Sequence, residues 1–193
     1  MLIGRCGDFI KKILDRFLGI IDNTFRITRY NDIQKAVSFL TQTDKIHVYG
    51  IGSSGLAAQE FKSKFFRIGL HVEAITDPHQ AVMDAALSNE NSVVIGISIS
   101  GVTKEIIRTV KIAKKQGALT IVFTGNKNSE LSQLGDLSLL VTSKSGMYMG
   151  QNISPLLPLL LLFDLIYTEL VAKDYKNRIR IREKTLQALA NTD

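Results

Sequence analysis

The sequence predicts an α/β sandwich in which one five-stranded parallel sheet is covered by helices on both faces, with further helices at each end of the chain. Three observations predict it. Five short runs rich in β-branched residues recur between helical patterns. Most of these runs are nearly continuous in apolar character, the mark of strands covered on both faces. The intervals between them have room for the crossover helix that parallel strands require. The length fits, since 193 residues is about one and a third times a 150-residue domain, enough for one core with appended helices.

Taken in order, Ile10, Ile13, Leu14, Phe17 and Ile21 fall at helical spacing, and a second helix runs from about Asp32 to Leu40. The first strand is IHVYG from Ile46, followed by a helix over Leu56 to Ile68. VEAIT from Val72 is the second strand, with a helix over Gln80 to Leu87 behind it. VVIGIS from Val93 is the third, and Thr103 to Gln116 its helix, with Ile106, Ile107, Val110 and Ala113 on one face and a stop at Gly117. TIVFT from Thr120 and SLLVT from Ser138 complete the sheet. The apolar stretch ISPLLPLLLLFDLIYTELVA reads as a buried helix with a proline in its first turn, where a missing N–H costs least. A basic helix, Lys176 to Ala190, closes the chain; its cations alternate with Ile179, Ile181 and Leu186, which suits packing or oligomerisation better than nucleic acid. The domain boundary falls in the loop near Gln42 to Lys45, giving 1–42 as N-terminal linker or oligomerisation helices and 43–193 as the core domain with its C-terminal helices.

Composition narrows the setting. Lys and Arg number 24 against 18 Asp and Glu, a balance of +6 that suits an anionic ligand. The single cysteine, Cys6, rules out an intramolecular disulfide framework, and no Cys/His cluster has zinc spacing, so a reducing cytoplasmic setting without a metal is expected. Pro155, Pro158, Asp164 and Glu169 interrupt the most apolar stretch, and Asp8, Lys11, Lys12 and Asp15 the N-terminal one, so neither reads as a membrane span or export signal.

Two loops carry the chemistry. The first strand runs into GIGSSG, Gly50 to Gly55, and Asp77 follows the second strand where a ribose-binding acid would sit. That pattern fits a dinucleotide, but its physical content is broader: glycines let backbone N–H groups and a helix N-terminus approach an anion. Its plain structural alternative is a tight turn capped by Ser53. The third strand ends in SISGVT, with Ser98, Ser100 and Thr103 around Gly101, more hydroxyls than one cap needs. With strand order 2-1-3-4-5 both loops face one crevice at the topological switch point. Ser53, Ser54, Ser98, Ser100 and Thr103, with the backbone of Gly52 and Gly101, then form a cage suited to one phosphate ester, and the SISGVT loop and the lack of room for a second domain argue against NAD. No cofactor is expected.

The succession of GIGSSG, FKSKFFRIGL, DPHQAVMDAAL, SISGVTKEI and SQLGDLSLLVTS, each in its place between strands and helices, resembles the SIS (sugar isomerase) domain over roughly Thr43 to Ser143, and the telling stretches within that superfamily are KFFRIGL at Lys64 to Leu70, SGVTKEIIRTVKIAKKQGALTIVFT at Ser100 to Thr124 and the C-terminal FDLIYTELVAKDYKNRIRIREKTLQAL. It is most similar to the sugar-phosphate-sensing domain of RpiR-type transcriptional regulators. The resemblance implies a flavodoxin-like three-layer sandwich, a phosphorylated sugar at the two serine loops, and homodimers or homotetramers built partly through the flanking helices. RpiR-type regulators read DNA through an N-terminal helix-turn-helix domain, for which the 42 or so residues before the first strand leave no room.

The alternative is a sugar-phosphate aldose–ketose isomerase, which needs a base within reach of the substrate. Many isomerases of the superfamily place Glu after the SG of the second loop, where this chain has Val102, and the stretch 144–154 carries no acid. The remaining candidates are Glu60, which the i,i+4 spacing pairs with Lys64, Glu105 in a helical first turn, and His79 after Asp77 and Pro78. His79 could bond sugar hydroxyls or open a ring, and Lys62 and Lys64 could reach a phosphate; His47 reads as structural, and His71 begins the second strand with no partner visible in the sequence. The sequence favours a sensor.

Overall fold

The structure is a computed structural model that describes residues 3–142, 154 and 156–190, with side chains from residue 8. Eight helices and five strands occur among the described residues: α1 (Ile3–Ile27), α2 (Tyr30–Thr41), β1 (Lys45–Gly50), α3 (Ser53–Phe66), β2 (Val72–Ile75), α4 (Pro78–Ala86), β3 (Ser92–Ile97), α5 (Lys104–Lys115), β4 (Leu119–Thr124), α6 (Glu130–Leu134), β5 (Leu137–Leu140), α7 (Leu156–Lys173) and α8 (Tyr175–Ala190). The sheet is wholly parallel, in the order β2-β1-β3-β4-β5. Each expected strand is present within a residue or two. The short α6 is additional.

Because successive side chains of a strand point to opposite faces, the sheet divides the core in two. Ile46, Val48, Ile95, Ile121 and Phe123 face α2, α3 and α7, where they meet Val37, Phe61, Phe65, Leu159 and Phe163. Tyr49, Val94 and Val122 face the other way, onto Ala81 of α4, Ile106 and Val110 of α5 and Leu131 of α6. The first cluster carries most of the aromatic burial: Phe61 stacks on Phe65 at 4.0 Å between centroids, and Phe163 meets both Phe61 and Phe123 edge-on. Ile33, Ala36, Val37 and Leu40 fasten α2 into this cluster. Pro158 sits buried in the first turn of α7.

The basic α8 packs through part of one side. Arg178 donates to the Ile68 carbonyl at 2.8 Å, and Ile181 lies so near Gly69 that a Cβ there would stand 3.0 Å from it. Among the described residues no helix is long and apolar enough to cross a membrane. Cys6 and the acid-free stretch 144–153 lie outside the described side chains.

Candidate functional site

Parallel strands all end on the same edge, so the order β2-β1-β3 brings three strand-to-helix loops side by side. Gly50 at the end of β1 pairs in register with Ile97 at the end of β3. The first loop is one tight step. A Cβ on Gly50 would run into the Ser54 carbonyl, which is why the helix can start directly over the strand. Gly52 adopts φ +59° and ψ −128°, a conformation that side-chain-bearing residues avoid. Its carbonyl accepts from the Gly55 and Leu56 N–H groups at 2.9 and 3.2 Å. Gly52, and not Ser53, is the cap residue of α3, so the hydroxyls of the exposed Ser53 and half-buried Ser54 are not used for capping.

The second loop gathers its hydroxyls. Ser98 Oγ lies 2.7 Å from Thr103 Oγ1 and 3.4 Å from Ser100 Oγ, and it accepts the Gly101 N–H at 3.2 Å. Thr103 occupies the cap position of α5 without making a side-chain cap bond. The N-terminus of a twelve-residue helix therefore opens beside three clustered hydroxyls, with its positive dipole end directed at them. Ser98 is buried and Ser100 exposed, so the cluster runs from the sheet edge to solvent.

Two further residues, unrecognised in the sequence, support this loop from behind. Thr124 and Ser129 stand where a Cβ on Gly101 would go, and Gly101 itself has φ +73°. Ser129 Oγ is committed, donating to the Asn126 carbonyl at 2.7 Å and accepting the Ser132 N–H to cap α6. Gly125 to Ser129 is rich in turn-forming Gly, Asn and Ser, a signal available in the sequence that marks a loop without showing what it touches.

The third loop carries Asp77 and His79. Asp77 caps α4, accepting the Gln80 N–H at 2.8 Å, so the carboxylate that a dinucleotide would require for its ribose holds a helix end here. His79 is exposed in the first turn of α4. Farther along α4, Asp84 takes two hydrogen bonds from β1, His47 Nδ1 at 2.5 Å and the Tyr49 hydroxyl at 2.7 Å. Burial opposes the charge on Asp84, but the bonds from His47 and Tyr49 more than offset it and hold the carboxyl below its ordinary value. Burial, reinforced by the Asp84 carboxylate, pushes the Tyr49 phenol up. His47 and Tyr49 lie two apart on one strand and so share a face; the sequence did not show that Asp84 comes to meet them.

The proton-transfer candidates are scattered. Glu60 is exposed on α3, and the ion pair expected with Lys64 is not formed: Lys64 binds Asp164 of α7 and lies 4.9 Å over the Tyr167 ring. Lys62 is 3.2 Å from Glu73 and so holds α3 to β2. Glu105 is exposed in the first turn of α5.

The SIS domain family matches residues 39–165. The chain belongs to it. An uncharacterized HTH-type transcriptional regulator of Clostridium perfringens is 32% identical over 180 residues, which cover 93% of this chain and 64% of the relative. The HTH-type transcriptional regulator RpiR of Escherichia coli is 29% identical over 160 residues, 83% of this chain and 54% of the relative. This SIS chain thus spans between about half and two thirds of the length of the curated regulators it matches. Among solved structures, Vibrio vulnificus NanR complexed with ManNAc-6P superposes with a TM-score of 0.86 at 22% identity, covering 97% of this chain and 71% of that one. The sugar isomerase domain of an RpiR transcription factor from Sphaerobacter thermophilus gives 0.83 at 17%, covering 91% and 97%. The SIS fold expected from the sequence is the fold observed.

Proposed function

We propose that this SIS chain binds a phosphorylated sugar and serves as the effector-sensing domain of an RpiR-type transcriptional regulator. The observation that carries the reading is the group of Ser98, Ser100 and Thr103 hydroxyls at an α5 N-terminus that has no side-chain cap. The phosphate is held there and by Ser53 and Ser54, with the backbone of Gly52 and Gly101 shaping the two loops, and the sugar end faces His79. The ManNAc-6P complex of NanR supports this substrate class. Val102 in place of a base, with Glu60 and Glu105 both exposed, supports sensing over isomerisation. Sensing works by linkage, because the ligand must bind one arrangement of subunits more tightly than another. We place the chain in the cytoplasm as a homo-oligomer, with residues 1–42 as its linker and oligomerisation segment and DNA contacted only through a helix-turn-helix domain outside this chain.

Melting temperature against a panel of sugar phosphates, free sugars, inorganic phosphate and NAD(H) tests the reading. Ligand at about a hundred times its Kd adds ~2.7 kcal/mol, a rise of roughly 5 to 10 °C for a chain of this size. A rise with one sugar phosphate is expected; a rise with NAD(H) alone would overturn the assignment. Turnover of the bound compound, lost on changing Glu60, Glu105 or His79, would establish the isomerase instead. Ser100→Ala should weaken the bound ester by about 1 to 3 kcal/mol, the worth of a charge-assisted hydrogen bond, as read by calorimetric titration.

A further inference from the structure

The sheet ends at β5, which pairs with β4 alone. In a parallel ladder the N–H and C=O of one residue point the same way, and successive residues point to opposite sides. The Val141 N–H donates to the Thr124 carbonyl of β4 at 2.9 Å. Leu139 therefore also turns toward β4, and Ser138 and Leu140 turn their N–H and C=O groups to the open edge. Among the described residues nothing bonds these outward groups. Just before the strand the edge is closed, because Lys35 of α2 donates to the Asp136 carbonyl at 2.8 Å, and a lysine at a sheet edge is a common block to pairing.

Beside the open part lies a cavity of about 270 Å³ lined by Ser138, Leu139 and Leu140. Its two walls differ. On the α6 side stand Gln133 and, from the loop before that helix, Lys127; on the other side the corner between α1 and α2 presents Ile27 and Arg29. Ile27 is 43% exposed. Arg29 and Lys127 are exposed and make no ion pair among the described residues. Asp32, the one acid among the described lining residues, sits in the first turn of α2, where the helix dipole accounts for it. Unpaired backbone groups along a strand are satisfied by a further strand, and the walls on either side then select its alternate side chains. We infer that the β5 edge takes an extended peptide segment of a partner protein, with apolar side chains toward Ile27 and acidic ones toward Lys127, Arg29 adding to the attraction for negative charge. A second copy of the chain is the poorer occupant, because it would set two edges of the same positive charge together. The edge lies two strands from β3 and its loop, so the inference stands apart from the sugar reading.

Titration of the full chain with a short blocked peptide of alternating glutamate and valine, followed by backbone amide resonances, tests it. Saturable shifts are expected around Ser138 and Leu140, with slowed hydrogen exchange at those two amides. Alternate N-methylation of the peptide supplies the control: one phase removes the N–H groups that face β5 and should abolish binding, whereas the other places its methyl groups outward and should spare it. Arg29→Glu combined with Lys127→Glu should weaken the glutamate peptide about tenfold or more and favour a lysine–valine peptide instead. Equal binding of the two N-methylated forms would mean that charge alone attracts the peptide. Shifts confined elsewhere, or no saturation at millimolar peptide, would mean that the edge is closed. Protection of Ser138 and Leu140 in the free protein that fades on dilution would mean that a second copy holds it. Each of these overturns the inference. Sugar-phosphate binding by the Arg29/Lys127 variant is expected to be unchanged, so failure of the strand site and failure of the sugar site are read separately.

Discussion

Gly101→Ala should remove sugar-phosphate binding and destabilise the fold, the larger loss being in affinity. Two costs combine. The residue sits at φ +73°, where a side chain costs about 1 to 2 kcal/mol. The new Cβ would also be driven into Ser129, with Thr124 Oγ1 only 2.8 Å away. Overpacking of this kind costs about 1 to 3 kcal/mol, and Ser129 cannot swing aside without releasing its bonds to Asn126 and to the Ser132 N–H of α6. The cheaper response is for the loop 98–103 to move out. That separates Ser98 from the Gly101 N–H and disperses the hydroxyls. Losing two charge-assisted bonds at about 1.5 to 3 kcal/mol each weakens binding on the order of a hundredfold or more. Gly52→Ala is the informative companion, because open space surrounds its Cβ position. It should carry the backbone cost without the displacement, so calorimetric titration of both separates strain from collision. Equal losses at the two glycines would show that the packing behind Gly101 is not what holds the loop.

That comparison bears on what a sequence can disclose. The strands were legible because burial on both faces demands unbroken apolar runs, and IHVYG and VVIGIS have no competing period. Both glycine- and serine-rich loops were legible because glycine and serine at the end of a strand have a local reason to be there. What stayed hidden is whatever depends on a partner far along the chain. Ser129 supports Gly101 from 28 positions away, Asp84 reaches His47 across 37, and Lys64 pairs with Asp164 across 100 while the neighbour Glu60 stays unpaired. Local spacing proposed the Glu60–Lys64 pair; tertiary geometry gave the lysine a carboxylate and an aromatic ring on α7 at once. Even within one loop, spacing put Ser53 forward as the cap, whereas the backbone of Gly52 takes that position. α6 escaped because a five-residue helix has no period to detect.

Asp84→Ala is expected to be the most damaging change outside the hydrophobic core. The α4 helix buries only Ala81 and Ala85, so little apolar surface holds it to the sheet and the carboxylate contributes much of the attachment. Its removal strands two donors, His47 at 4% exposure and Tyr49 at 0%. A buried donor left unsatisfied costs about 1 to 3 kcal/mol, so two give about 2 to 6, less whatever water enters through the partly open Asp84 side. The melting temperature should fall by roughly 5 to 15 °C. Tyr49→Phe removes one donor together with its need for a partner and should cost far less, which distinguishes stranded polar groups from lost packing. Acid adds a second readout. The Asp84 carboxyl is held below its ordinary value in the folded protein, so its contribution is complete above the unfolded carboxylate pKa of about 3.9 and disappears as the pH falls through the lower folded value. Urea unfolding between pH 3 and 7 should therefore show wild type and Asp84→Asn converging toward the acid end. The slope that persists in the variant belongs in part to Asp136. Burial opposes its charge, but Lys114 at 2.7 Å and the Thr120 hydroxyl and N–H at 2.8 and 2.9 Å hold it low as well. A constant gap between the two proteins across that range would mean that the Asp84 charge contributes nothing and that the helix is held by shape alone.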